Sequence, residues 1–147
     1  MSNLMRLVMF SKAAFSTATS SSEIEADLLS ILSQTRRANA QRQLTGVLYY
    51  GEGYFLHCLE GAAATMTEVM NRMALDPRHC NLEVVVLEPI QQLSFAQWRM
   101  RFARTDHAVT HMLRQHGMTR FQPYEFPLSL VNALVETAAQ PDYQRCA

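Results

Sequence analysis

Residues 44–61 read LTGVLYYGEGYFLHCLEG: two β-rich runs, LTGVLYY and YFLHCL, separated by GEG. Glycine tolerates positive φ, so GEG is hairpin chemistry and the two runs are expected to lie as antiparallel neighbours. His57 interrupts an otherwise apolar strand. On residue type alone, a histidine there is more often a satisfied core residue than a functional one.

Working outward, LMRLVMFS (4–11) is an apolar run of strand length, followed by the loop-like STATSSS. Ser22 and Glu25 have capping-box spacing, and Ile24, Leu28, Ile31, Leu32 and Thr35 recur at helical period, which predicts a helix over 23–38 ending near ANAQRQ. Beyond the hairpin, Met66, Val69, Met70 and Met73 form an i, i+3, i+4, i+7 stripe on a second helix that Pro77 ends. LEVVVLEPI (82–90) is a β-branched strand. In AQWRMRFAR (96–104), Trp98, Met100 and Phe102 alternate with Arg99, Arg101 and Ala103, which predicts a one-sided fifth strand.

The order β-α-β-β-α-β-β predicts an α+β, ferredoxin-like sheet with both helices on one face. The other face needs a cover. Residues 106–117 and 128–139, joined by FQPYEFP, are expected to supply it as two short helices. This divides the chain into a domain over 1–104 and a helical extension over 105–147.

The chain of 147 residues is 48% hydrophobic, the size and composition of one soluble domain. Thirteen basic and thirteen acidic side chains cancel, so no global field would draw the protein to nucleic acid or an anionic membrane. Cys58, Cys80 and Cys146 fit neither a disulfide framework nor a zinc ribbon, which favours a reducing compartment, the cytoplasm. The N-terminus lacks the features of a signal peptide, and no apolar run approaches the roughly 20 residues of a membrane helix.

His57-Cys58 and His79-Cys80 do not converge on a metal, because adjacent strand residues point to opposite faces. His107 and His111 have i, i+4 spacing without a third ligand. Neither a phosphate loop nor a nucleophile elbow is present, so nothing argues for hydrolysis, and the protein is expected not to be an enzyme.

RLVMFSKA, SQTRRANAQRQLTGVLYYGEGYFLHCLEG, DPRH and FAQWRMRF occur in this order. Over residues 4–104 this pattern resembles the BLUF family, sensors of blue light using FAD. The resemblance implies a flavin ring held between the two helices and a signal leaving through the sheet toward C-terminal helices. Position by position it implies cofactor contact by Asn39, Leu44, Phe55 and His57, with Arg78 and His79 near the ribityl and phosphate part. It also implies signalling roles for Trp98 and Met100.

Two positions depart from the pattern. The photoactive tyrosine falls at Met9 and the switching glutamine at His57. A thioether is only a weak acceptor and has no proton to give, so Met9 cannot replace a phenol. Neutral imidazole carries one donor and one acceptor, but exchanging them needs a tautomer change or protonation. The expectation is an FAD-binding regulatory module without the family's usual photocycle.

With no effector domain following, output is expected to pass to a separate regulatory protein. A homo-oligomer would form through the C-terminal helices or the sheet face. Two other readings stay open: a cofactor-free interaction domain that has lost flavin binding, and a flavin-dependent redox protein tuned by His57.

Overall fold

The computed structural model describes residues 3–14 and 21–141, apart from the side chains of residues 21 and 22. The loop read at 16–22 falls largely outside these residues, as do Cys146 and the Ser22 side chain of the capping box. The elements are β1 (Leu4–Ala13), α1 (Ser21–Arg42), β2 (Thr45–Gly51), β3 (Tyr54–Ala62), α2 (Ala63–Leu75), β4 (His79–Pro89), β5 (Arg101–Arg104), α3 (His107–Gln115) and α4 (Leu128–Ala138).

They build one sheet in the order β4-β1-β3-β2-β5, antiparallel except where β5 runs parallel to β2. The expected ferredoxin-like α+β architecture is what forms. Glu52 and Gly53, both at positive φ, make the two-residue hairpin turn between β2 and β3, with Gly51 paired to Tyr54. Gly46 is required for a different reason. A Cβ there would lie 2.0 Å from the Cys58 carbonyl oxygen, so only glycine lets β2 approach β3 this closely.

Strand alternation splits the core in two. Leu7, Met9, Leu48, Phe55 and Leu59 pack with Leu28, Ile31 and Leu32 of α1 and Met66 and Val69 of α2. Val8, Phe10, Val47, Tyr49, Leu56 and Cys58 pack on the opposite side against Val109 and Leu113 of α3 and Leu130, Val131 and Leu134 of α4. The second sheet face is therefore covered by the chain's own C-terminal helices. Asp106 caps α3 by accepting from the Val109 amide, and the Tyr49 hydroxyl ties α4 to the sheet by donating to the Leu134 carbonyl at 2.8 Å.

Two expectations are corrected. Helix α1 runs to Arg42 rather than residue 38, and Gln43 takes the left-handed conformation that ends it. The polar segment 38–42 stays helical because Asn39 faces inward and is buried. The fifth strand is confined to Arg101–Arg104, and residues 96–100 form turns and bends. Their carbonyls do not join a regular ladder: Trp98 O accepts from the Gly46 amide, Arg99 O from the Asn39 side chain, and Met100 O from Arg36. Consequently Trp98 packs toward α3 and α4, whereas Met100 and Phe102 lie on the α1/α2 side. The alternation holds from Met100 onward and fails at Trp98.

Candidate functional site

A cleft between α1 and α2, floored by the sheet, encloses about 870 Å³ of atom-free space with its open mouth included. Its interior is apolar, formed by Ile31, Leu44, Leu48, Phe55, Val69 and Met100. Its polar lining includes Gln34, Asn39 and Arg42 from α1, His57 from β3, Arg72 from α2, and Asp76, Arg78 and His79 after α2. All six residues expected to contact a cofactor (Asn39, Leu44, Phe55, His57, Arg78 and His79) line this one cleft, as does Met100. Trp98 does not line it. Met9 is fully buried on the same sheet face, directly opposite His57 in the β1–β3 register.

His57 is buried, 6% exposed, at the edge of the cleft. Its ring clusters with those of Phe55 (centroids 5.6 Å apart) and His79 (5.5 Å), both tilted to it, and its Nε2 lies 2.9 Å from the Ser11 hydroxyl. Burial and the neighbouring His79 push its pKa down to about 3, so the ring is neutral near pH 7. His79 is likewise shifted down by burial, opposed by the Asp76 carboxylate 3.7 Å away. Asp76 is held down to about 2, chiefly by the Arg78 guanidinium, which also donates to Gln34. Arg78 is thus fixed in place by its own turn. Residue-type reasoning missed Ser11, Asp76 and the cleft-lining arginines Arg42 and Arg72.

No group of three metal-ligating side chains occurs among the described residues. What the cleft suits is a flat, largely apolar ring with polar edges. His79, which lines the cleft, has its Nδ1 buried without a hydrogen-bond partner.

The profile of sensors of blue light using FAD matches residues 4–101. The chain belongs to the BLUF family. BLUF domains bind FAD. Among curated proteins, the photoactivated adenylate cyclase subunit beta of Euglena longa is 34% identical over 85 residues, 57% of this chain and 10% of that protein. Its counterpart in Euglena gracilis is 31% identical over the same shares. The match thus spans about a tenth of the length of these relatives.

Among solved structures, BlsA in its photo-activated state superposes with a TM-score of 0.83 at 23% identity, covering 92% of this chain and 94% of that one. BlrB, a BLUF protein in its dark state, gives 0.75 at 25% identity with 95% and 97% covered. A bacterial light-regulated adenylyl cyclase gives 0.60 at 26%, with 91% of this chain and 34% of that one covered. Among the described residues no helix is long and apolar enough to cross a membrane.

Proposed function

We propose that this BLUF domain binds FAD in the α1/α2 cleft and regulates a partner protein by contact, without the tyrosine–glutamine light switch. The observation that carries this reading is the pairing of Met9 with His57 beside the cleft. Bound there, FAD supplies absorption of blue light. The protein has no phenol at position 9 to give up a proton and no amide at position 57 to turn.

The residues assigned to holding the cofactor are Leu44, Phe55 and Met100 around the ring and Asn39, His57 and His79 at its polar edges, with Arg78 and Arg72 completing the polar lining. Asn39 donates its amide to Arg99 O and so couples the cleft to the segment that enters β5. Arg101 donates to the carbonyls of Ala138 and Gln140 at the end of α4 and lies 4.2 Å over the Trp98 ring. That chain of contacts supports α3 and α4 as the output surface, working in trans or between copies of the chain in the cytoplasm.

The test is the visible spectrum of the purified protein, with FAD added, in darkness and under blue light. A flavin band without a reversible red shift is expected, and the double variant Met9→Tyr, His57→Gln should acquire the shift. A reversible shift in the unaltered chain refutes the loss of the switch. No flavin band after FAD addition refutes cofactor binding and leaves the interaction-domain reading. NAD(P)H-driven turnover of the bound flavin would make the protein a redox enzyme instead.

A further inference from the structure

Ser11 is fully buried on β1, two residues beyond Met9 on the same face, and it pairs with Phe55 in the β1–β3 register. That makes it the diagonal neighbour of His57, within reach of a polar side chain. Among the described residues its hydroxyl has one side-chain partner, His57 Nε2. A serine hydroxyl carries one donor hydrogen, and a buried donor without an acceptor is disfavoured. The hydrogen therefore goes to Nε2, which can accept it only if it bears no hydrogen itself. In a neutral ring the remaining hydrogen is then on Nδ1.

We propose that Ser11 is a positioning residue that fixes His57 as its Nδ1–H tautomer, so that the ring offers the cleft a hydrogen-bond donor. Where the family places a tyrosine hydroxyl at position 9, this chain supplies a hydroxyl from position 11. The amide expected at position 57 can both donate and accept; the locked imidazole spends its acceptor on Ser11 and has only its donor left for the cleft. An occupant is selected for an acceptor, a carbonyl oxygen or an unprotonated ring nitrogen, where it meets His57. That selectivity rests on the FAD reading given above, whereas the tautomer does not.

The two are separated by nitrogen NMR of the full ¹⁵N-labelled chain before and after FAD is added, with the His57 resonances assigned by their loss in His57→Gln. Without FAD, Nε2 should resonate as a lone-pair nitrogen and Nδ1 as a protonated one. Ser11→Ala should shift the ring toward the other tautomer, and Ser11→Thr, which keeps the hydroxyl, should preserve it. A merely structural serine would leave the tautomer unchanged in Ser11→Ala.

A protonated Nε2 in the unaltered chain, or an unchanged tautomer in Ser11→Ala, overturns the proposal whether or not FAD binds. In the binding arm, Ser11→Ala should weaken FAD about fivefold to tenfold, the net worth of one neutral hydrogen bond, and Ser11→Thr should restore it. Equal affinities overturn the selectivity. A failure of FAD to bind a chain with the expected tautomer overturns the cofactor reading and the selectivity with it, while supporting the lock itself.

Discussion

Mild acid should destabilise this protein through His57, and by an amount that can be worked out. Folded, the ring is buried beside Phe55, His79 and Ser11 and resists protonation down to about pH 3; unfolded, it takes a proton near 6.5. Between those values the unfolded chain binds more protons than the folded one, so stability falls as pH falls and levels off once the folded ring also protonates. Each pH unit below 6.5 removes about 1.4 kcal/mol, so pH 5 should remove about 2 kcal/mol on account of this ring alone. His79 is shifted in the same direction and adds to the slope. Asp76, already ionised well below pH 5, does not contribute in this window. Urea unfolding at pH 7.5 and pH 5, on the unaltered chain and on His57→Gln, isolates the ring. The variant should lose about 2 kcal/mol less on acidification than the unaltered chain. Equal losses would mean that His57 takes up its proton while folded, and the buried neutral ring would be wrong.

Three further outcomes follow from named contacts. Asp76→Asn should cost about 1 kcal/mol at pH 7, because the partly exposed pair with Arg78 is screened by solvent. With the carboxylate's pKa lowered in the fold, that contribution is present above pH 4 and disappears toward pH 2; a pH-independent difference in urea midpoints would contradict it. Gly46→Ala drives a methyl into the Cys58 carbonyl between two paired strands and should lose about 3 kcal/mol or fail to give soluble protein, so a thermal midpoint equal to the unaltered chain's would refute the close approach. Tyr49→Phe removes the buried bond to the Leu134 carbonyl and should cost about 1 kcal/mol, with faster amide exchange concentrated in α4. Exchange raised evenly over the whole chain would show that this hydroxyl does not tie the helix to the sheet.

What could be read from the sequence, and what could not, divides along a physical line. Element order, the β2–β3 hairpin and both helix stripes depend on contacts within a few residues or on periodicity, and these are written into neighbouring residue types. The errors lie where a distant side chain replaces a backbone partner. Arg36 and Asn39 on α1 hold the carbonyls of Met100 and Arg99, so a run that alternates like a strand becomes a bend and turns Trp98 to the other face. The same inward-facing Asn39 belongs to a polar segment that resembles a helix end but continues for another turn.

The cleft was legible residue by residue only through resemblance to a family, because apolar lining looks like any core. Ser11 left a usable signal all the same. Once β1 and β3 are taken as antiparallel neighbours with Met9 opposite His57, the residue two places along must share their face. A buried hydroxyl beside a buried imidazole then has to be counted as a pair. Register, more than residue type, thus connects the exchange at position 9 to the exchange at position 57. It also predicts that reverting either one alone leaves a mismatched partner across the strands: Met9→Tyr would place a phenol beside a ring nitrogen already engaged by Ser11, and His57→Gln would leave the Ser11 hydroxyl to bond an amide. The two changes should therefore be strongly non-additive when combined, in stability as well as in any response to light.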